Sequence, residues 1–267
     1  EIGRIGEEMF RREYECEFLI FDETLINSVK LAELEGTDPL RKFGQTRWYK
    51  DINPNFTYVV SLDPSLGTGG DYAAIQVFEL PSFEQVAEWQ HNTSPVQVQV
   101  RVLADITKTI MEDGQQRGSK LPQVYYSVEN NTIGEAALLC IEQYGEQNIE
   151  GYFLSDNTVV SASGKRYRKG FNTTNRSKIA ACAKLKTLVE TNKMTISSPS
   201  LIGELKNFVA HGTSYAGKPG ETDDLVMSTL LAIRMLQVLT SYHKELDSHL
   251  TDFSEENIEP MPFVAMF

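Results

Sequence analysis

Runs of apolar and β-branched residues predict five β-strands between positions 56 and 154. The first three runs are joined by short turns rich in glycine or proline, which indicates an antiparallel meander. Before each of the last two runs, apolar residues recur at the spacing of a helix, so strands and helices alternate in this part of the chain. The five runs lie at positions 56–62, 72–79, 85–91, 123–129 and 151–154.

Apolar residues at helical spacing predict the remaining elements. Leu103, Ile106 and Ile110 share one face of a helix that ends near Asp113. Further helices are predicted at positions 134–139, 174–189 and 223–239. Hairpin strands followed by strand–helix alternation predict an α/β fold, in which a mixed sheet carries helices on both faces.

The ends of the chain differ from this centre in composition. Residues 1–50 are polar and charged and show no strand alternation, so we interpret them as a linker segment that packs on the core. The domain itself is predicted over residues 51–245, and the acidic residues 246–267 are predicted to form a mobile tail. The chain begins at Glu1 without a methionine or an apolar leader, which is typical of a fragment. No run approaches about 18 consecutive apolar residues, so no membrane partner is expected.

Charge is distributed unevenly along the chain. The formal net charge is -12, which opposes binding to a polyanion. Between positions 161 and 193, however, the chain has nine lysines and arginines and only one acidic residue, a glutamate. Their tightest cluster lies in a glycine-flanked loop, where like charges this close need an anionic partner such as DNA. For Lys184 and Lys186 a solvated helix face explains the charge equally well. The residues expected to contact DNA are Lys165, Arg166, Arg168, Lys169 and Arg176.

Acidic residues stand where several predicted elements end or begin. Asp63 ends the first strand, Glu129 ends the fourth, and Asp223-Asp224 open the last helix. If the first and fourth strands are neighbours, Asp63 and Glu129 meet at one edge of the sheet, and the last helix brings its carboxylate to the same point. Taken singly, each acid is also explained as a turn former or a helix cap.

Carboxylates gathered at the mouth of a core predict a metal site. They repel one another and lose solvation, and a hard divalent cation removes that conflict. Mg²⁺ prefers oxygen ligands together with water and phosphate. Two such ions about 3.5–4 Å apart can activate water and stabilise the leaving oxygen in an in-line displacement. The pattern therefore predicts phosphodiester hydrolysis with Mg²⁺ as the cofactor, for which Mn²⁺ can substitute.

The motifs around these acids resemble a known family. The strings are SLDPSLGTGGDY at positions 61–72, VENNTIG at 128–134 and TDDLVMS at 222–228, while REYECEF at 12–18 is similar to the segment that terminases carry just upstream of the nuclease. They resemble the nuclease domain of the large terminase subunit, the DNA packaging protein of tailed bacteriophages, in particular the T-even-like group. The resemblance covers most of the chain and implies an RNase H-like fold, related to RuvC resolvases and retroviral integrases.

The resemblance also implies an activity and its residues. The activity is that of an endonuclease which cuts concatemeric viral double-stranded DNA during genome packaging. Asp63, Glu129 and Asp224 would hold the metal and carry catalysis, with Asp223 and Asp71 as further metal-ligand candidates. Asp223 is alternatively a helix cap, and Asp71 is foremost a turn residue. His91 is similar to a family histidine near the active site, although a lone histidine is more often structural.

Two departures from the family limit what is expected of this chain. Thr222 stands where many terminases have a histidine, so no protonating role is expected there. The two Gly-Lys pairs, at positions 164–165 and 217–218, are not followed by the hydroxyl residue of a phosphate-binding P-loop. The chain is therefore not expected to hydrolyse ATP. Its expected partners are a packaging ATPase domain, the small terminase subunit and the portal of the prohead, in the host cell cytoplasm.

Other functions are compatible with parts of the sequence. Asp63 followed by the glycines at positions 67–70 could form the phosphate loop of an actin- or sugar-kinase-type ATP-binding enzyme, but the second Asp-x-Gly loop of that class is missing. A dinucleotide site is disfavoured because these glycines open a strand and not a helix. A non-catalytic module that docks DNA and protein would use the same acids as turns and caps.

Overall fold

The computed structural model describes residues 23–156 and 169–242, which form a mixed sheet covered by helices. The strands are β1 (Arg41–Phe43), β2 (Thr46–Trp48), β3 (Thr57–Asp63), β4 (Ala73–Leu80), β5 (Glu84–His91), β6 (Gln123–Val128), β7 (Tyr152–Phe153), β8 (Phe208–His211) and β9 (Ser214–Gly217). The first seven form one sheet in the order β1-β2-β5-β4-β3-β6-β7, and β8 and β9 form a separate hairpin.

Six α-helices lie within the described residues. They are α1 (Ser28–Glu33), α2 (Val96–Arg117), α3 (Thr132–Tyr144), α4 (Asn175–Glu190), α5 (Pro199–Lys206) and α6 (Asp224–Tyr242). α4 begins at the predicted cap, because the Thr174 hydroxyl accepts from the Ser177 N–H at 3.2 Å. α6 begins at the predicted acidic pair.

The centre of the sheet has the predicted strand order. β3, β4 and β5 form an antiparallel meander, and β3 also pairs in parallel with β6. In that register Leu62 lies beside Val128. Every residue of β4 is buried, as expected for a strand covered on both faces. The predicted α/β fold, with three antiparallel strands followed by strand–helix alternation, is confirmed.

Each face of the sheet has its own core. α2 and α3 pack on one face against alternate side chains of β3, among them Tyr58, Val60 and Leu62. α4, α5 and α6 pack on the other face, against Val59 and Phe78. Side chains point alternately to the two faces along a strand, so β3 contributes to both cores. The predicted helices on both faces are therefore present.

α6 is a long apolar helix of the core. Over Asp224–Ser241 it satisfies a length-and-hydropathy criterion for a membrane span, and it is the one helix among the described residues to do so. However, 67% of that window is buried inside the protein. The helix packs on β3 and β4, so its hydropathy is explained by its place in the core.

Residues 41–48 contribute two strands to the sheet, although the sequence of this segment shows no strand alternation. Leu25, Ile26 and Leu31 are buried in the core. β1 and β2 extend the sheet beyond β5. The two strands have three residues each and the sequences RKF and TRW, which are too short and too polar to show alternation. The boundaries at residues 50 and 245 stay predictions.

Several sequence predictions lie outside the described residues. They concern the REYECEF string at positions 12–18, the acidic tail at 246–267, and the loop residues Lys165, Arg166 and Arg168. For these the sequence remains the basis of interpretation.

Candidate metal centre

The parallel pairing of β3 and β6 brings Asp63 and Glu129 together. Asp63 is the last residue of β3, and Glu129 follows β6 directly. The Glu129 N–H donates to the Leu62 carbonyl at 3.0 Å, which continues the pairing to the ends of both strands. The two carboxyl groups share a hydrogen bond. Both acids therefore lie at one edge of the sheet, where the apolar runs predicted them.

Small side chains let α6 approach β3 closely enough to bring Asp224 to the same edge. The Ser61 hydroxyl donates to the Ser228 carbonyl at 2.8 Å, and the Ser228 hydroxyl donates to the Ser61 carbonyl at 3.0 Å. Both serines are fully buried. Asp224 is the first residue of α6, and Ser228 lies one turn later on the same face. The reciprocal pair thus anchors the turn that carries Asp224.

The acids line a polar cavity of about 420 Å³ at this edge of the sheet. Its wall is completed by the turn between β3 and β4, the start of α3 and the residues before α6. Among the described residues, no lysine or arginine lines it. The acidic residues that line it are Asp63, Asp71, Glu129, Glu221, Asp223 and Asp224. The cavity therefore concentrates negative charge without a matching cation from the described chain.

Burial and mutual repulsion raise the pKa of two of these carboxyls. Burial is the main cause for Asp63, whose pKa lies well above its ordinary value, and Glu129 and Asp224 add to the rise. The pKa of Asp224 is raised to about 6, first by burial and then by Asp223. The Tyr72 N–H donates to Asp224 and partly offsets that rise. A positive charge in the cavity would relieve both carboxyls.

Two buried oxygen atoms at the end of β6 accept no hydrogen bond within the described part of the chain. They are Oε1 of Glu129 and Oδ1 of Asn130. Such acceptors are costly unless an ion or a water satisfies them. An all-oxygen donor set with an orphaned carboxylate oxygen matches the ligand preference of Mg²⁺ and Mn²⁺. The residues present therefore fit a divalent cation.

The third carboxylate stands apart from the other two. Within residues 23–156 and 169–242, no three acidic, cysteine or histidine side chains already lie in an arrangement that could hold a metal ion. Asp63 and Glu129 are in contact, whereas Asp224 lines the same cavity and hydrogen-bonds to the backbone of Tyr72. Repulsion between like charges is the physical reason to keep a third carboxylate at a distance.

Gln99 of α2 fixes the turn that follows Asp63. Its amide donates to the carbonyls of Ser65 and Ser94 at 2.7 and 2.8 Å and accepts from the Ser65 N–H at 3.3 Å. Gly67 makes the turn with a φ of +70°, and a Cβ there would come within 2.1 Å of the Ser94 carbonyl oxygen. Only glycine tolerates this approach. Close backbone packing thus explains the first glycine of this loop.

The two further acidic candidates lie on the cavity wall. Asp223 accepts from the Gly217 N–H of β9 at 3.2 Å, so its carboxylate ties the β8–β9 hairpin to the start of α6. Asp71 is exposed in the turn before β4. Both line the cavity, and both raise the pKa of Asp224. Their role as metal ligands stays a prediction.

His91 lies at the end of β5, outside the wall of the cavity. Its ring stacks on Trp89 with a centroid distance of 6.1 Å. Its Nδ1 accepts from the Thr93 N–H at 3.1 Å. These contacts account for the residue structurally, and a catalytic role for it stays a prediction.

Two of the predicted DNA-binding residues are described. The Lys169 carbonyl accepts from the Asn130 amide at 2.7 Å, which places its backbone beside the end of β6. Its Nζ contacts Glu146 and lies 5.6 Å from the centre of the Phe153 ring. Arg176 lines a different cavity, of about 660 Å³, to which α4 and α6 contribute residues. Of the two, Lys169 is therefore the one whose backbone lies beside the end of β6, and neither side chain lines the carboxylate cavity.

The sequence interpretation missed Glu204, a buried carboxylate near the site. It lies on α5, is 7% exposed and bonds to residues on both sides of Asp223-Asp224. Burial raises its pKa to about 7. Its position in the sequence, inside an ordinary amphipathic helix, gives no signal of these contacts.

Solved structures of terminase nuclease domains share this architecture. The large terminase nuclease from thermophilic phage G20c with bound magnesium has a TM-score of 0.56 at 18% identity, over 80% of this chain and 98% of that one. The large terminase nuclease domain of Thermus phage P74-26 has a TM-score of 0.51 at 20% identity, over 76% and 91%. The human cytomegalovirus terminase nuclease domain has a TM-score of 0.51 at 14% identity, over 79% and 94%. No protein-family model matches the chain. The chain therefore has the RNase H-like α/β fold of the large terminase nuclease domains.

Proposed function

We propose that this chain is a Mg²⁺- or Mn²⁺-dependent endonuclease that cuts double-stranded DNA during viral genome packaging. The observation that carries this proposal is the convergence of Asp63, Glu129 and Asp224 on one polar cavity. The fold supports it, since the similar phage nuclease domains were solved with bound magnesium and with bound cobalt. A similar cytomegalovirus nuclease domain was soaked with manganese.

The three carboxylates would hold the cation, and Asp223 and Asp71 are candidates for further ligands. Divalent ions at such a site polarise the phosphate, make water a stronger nucleophile and stabilise the leaving oxygen. The protein's contribution is to fix the ligands before substrate arrives. Asp63 and Glu129 extend from paired strands, and Asp224 from a helix anchored by buried serines, so each carboxylate projects from a rigid element.

We propose that the basic segment holds the DNA backbone next to these carboxylates. The Asp156 N–H donates to the Gly170 carbonyl at 3.2 Å, so the chain positions that flank residues 157–168 are adjacent. Phe171 in turn bridges to Glu129. The described residues that flank the segment carrying Lys165, Arg166 and Arg168 are therefore joined to Glu129, the proposed metal ligand, through Phe171. Cations there would contact phosphates near the point of cleavage.

The wider setting follows from the same proposal. The chain would act with a packaging ATPase domain, the small terminase subunit and the portal of the prohead, in the cytoplasm of the host cell. The motifs at positions 61–72, 128–134 and 222–228 support this setting and favour a T-even-like phage as the source. Because the sequence lacks a P-loop motif, the energy for moving DNA would come from the ATPase partner.

A cleavage assay with matched variants tests the proposed function. Metal-free chain is incubated with linear and plasmid DNA, with and without Mg²⁺ or Mn²⁺. Wild type is expected to cut both substrates only when metal is present. Asp63→Ala and Asp224→Ala are expected to cut roughly 100-fold more slowly, because each removes a ligand of the cation. Asp105→Ala, on the exposed face of α2, serves as the control and should cut like wild type.

Three results would contradict the proposal. Equal cleavage by wild type, Asp63→Ala and Asp224→Ala would show that the proposed site is wrong. Binding of ATP without any DNA cleavage would favour the kinase-type alternative. Binding of DNA without cleavage at any metal concentration would favour a docking module.

A further inference from the structure

We infer that Glu204 is a positioning residue, whose carboxylate caps the N-terminus of α6 from outside the helix and so holds Asp224 in place for the divalent cation. The inference rests on the function proposed for the carboxylate cavity. Glu204 does not line that cavity, so it would act through α6 and not on the cation or the DNA.

The Glu204 carboxylate contacts the chain on both sides of the acidic pair. Its Oε1 accepts from the Thr222 hydroxyl at 3.1 Å, just before Asp223-Asp224. Its Oε2 accepts from the Val226 N–H at 3.1 Å, just after the pair. One buried side chain therefore restrains both ends of the short segment that presents Asp224 to the cavity.

The first turn of α6 requires an acceptor from elsewhere. The first N–H groups of a helix have no partner within it, and Val226 is the third residue of α6. Asp223, the side chain directly before the helix, accepts from the Gly217 N–H of β9. A carboxylate near a helix N-terminus is also stabilised by the helix dipole. Glu204 thus supplies from α5 the acceptor that a helix usually obtains from its own N-cap.

Gln90 connects this cap to the sheet. The Gln90 amide donates to Glu204 Oε1 at 3.0 Å. Gln90 pairs with Ala74 of β4, and Ala74 pairs on its other side with Asp63. Neighbouring contacts therefore lead from the strand that ends at Asp63 to the helix that begins at Asp224. Because Glu204 is 7% exposed, these protein donors replace the water that a carboxylate would otherwise bind.

Mn²⁺ affinity of the full chain, measured by titration calorimetry, tests the inference. Glu204→Ala is expected to weaken Mn²⁺ binding by about tenfold, as is typical for residues that support metal ligands. Glu204→Gln is expected to restore most of the affinity, because its amide oxygen can still accept from the Val226 N–H. Hydrogen exchange at the Val226 amide should accelerate in Glu204→Ala and remain slow in Glu204→Gln.

A buried carboxylate elsewhere provides the matched control. Glu79 is fully buried at the other end of β4, where it pairs with Lys50. Glu79→Ala is expected to lower the melting temperature while Mn²⁺ affinity stays at the wild-type value. The inference would be overturned if Glu204→Ala, like this control, had a lower melting temperature but an unchanged Mn²⁺ affinity.

Additional variants distinguish a failure of this inference from a failure of the proposed function, and they provide a test if Glu204→Ala does not fold. If Glu204→Ala does not fold, Thr222→Val removes a single donor to the carboxylate and should weaken Mn²⁺ binding by about threefold. The inference would be overturned if the Val226 amide exchanged rapidly in both Thr222→Val and Glu204→Gln while both variants bound Mn²⁺ as tightly as wild type. If Asp63→Ala and Asp224→Ala bound Mn²⁺ as tightly as wild type, that result would instead overturn the proposed function.

Discussion

At the scale of single residues, Asp63 is held where its charge is unfavourable. It shares a hydrogen bond with Glu129, and burial keeps its pKa well above the ordinary value. A raised carboxyl pKa means that the folded state binds the proton more tightly than the unfolded state. Stability therefore falls as the pH rises through that pKa. A turn former or a helix cap has no need of such an arrangement, whereas functional sites commonly show it.

Asp63→Asn is expected to stabilise the metal-free protein. The substitution removes the buried charge next to Glu129 and should raise the free energy of unfolding at pH 8 by on the order of 1 kcal/mol. The gain should shrink as the pH falls and vanish below the ordinary carboxyl pKa of about 3.9, where both states are protonated. Urea unfolding in EDTA at several pH values measures it. Asp105→Asn should show no gain, and a less stable Asp63→Asn at pH 8 would refute the expectation.

Some of these residues can be located from the sequence because their place in the fold follows from local position. Asp63, Glu129 and Asp224 each stand at the end or start of an apolar run, and that is visible in the chain itself. Glu204 and Gln99 depend on partners that the fold supplies. Gln90, for example, is 114 positions from Glu204, and no local pattern encodes such a contact.

At the scale of elements, the start of α3 packs closely against the backbone of Glu129. Gly134 is the third residue of α3, and a Cβ there would come within 1.8 Å of the Glu129 carbonyl oxygen. The neighbour is backbone at the end of a paired strand, so it cannot move aside cheaply. Glycine at this position therefore allows helix and strand to meet beside the proposed metal ligand.

Gly134→Ala is expected to lower the free energy of unfolding by about 1–3 kcal/mol, since the added methyl group must push α3 away from β6. It should also weaken Mn²⁺ binding, because Glu129 moves with its backbone. Gly203→Ala is the matched control: this helical glycine of α5 has open space around it, and alanine there should raise stability by about 0.5–1 kcal/mol. Equal melting temperatures and equal Mn²⁺ affinities for the two variants would argue against a close contact at Gly134.

Long apolar elements were predicted well, and short polar ones were not. β3 to β6 and α2, α3, α4 and α6 have the periodicity that burial imposes on a strand or helix. β1 and β2 have only three residues each, and β2 joins the sheet by pairing with β5, which is remote in sequence. The hairpin of β8 and β9 has intermediate or exposed residues at most positions and so lacks a buried face to detect. α5 is only eight residues long. These elements depend on tertiary contacts more than on their own pattern.

At the scale of the whole molecule, the charge distribution sets the proposed DNA-binding segment apart from the rest of the chain. The chain has a net charge of -12, while the segment from 161 to 193 is strongly basic. An acidic exterior repels DNA, so the isolated chain should bind DNA weakly and mainly through this segment. We therefore expect the ATPase partner and the portal to present the substrate. A DNA affinity of this chain equal to that of the complete packaging protein would contradict this view.

Replacing Lys165, Arg166, Arg168 and Lys169 by alanine is expected to weaken DNA binding while Mn²⁺ affinity stays unchanged. The dependence of log Kd on log salt should flatten by about one unit for each phosphate contact that is lost. The charge-matched control replaces four exposed cations outside the segment. They are Lys42, Arg101, Lys108 and Lys120. Fluorescence anisotropy over a salt series measures the effect, and identical slopes for both variants would remove the assignment.

The location of bound metal is the sharpest test of whether the carboxylate cavity is a metal site. Crystals of the chain soaked in Mn²⁺ give an anomalous-difference map that shows each ion without reference to activity. We expect one or two peaks about 2 Å from carboxylate oxygens of Asp63, Glu129 and Asp224. The same soak of Asp63→Asn crystals should lose or weaken these peaks. Strong peaks only at other sites, or no peak in the cavity at saturating Mn²⁺, would show that these carboxylates do not hold the cation.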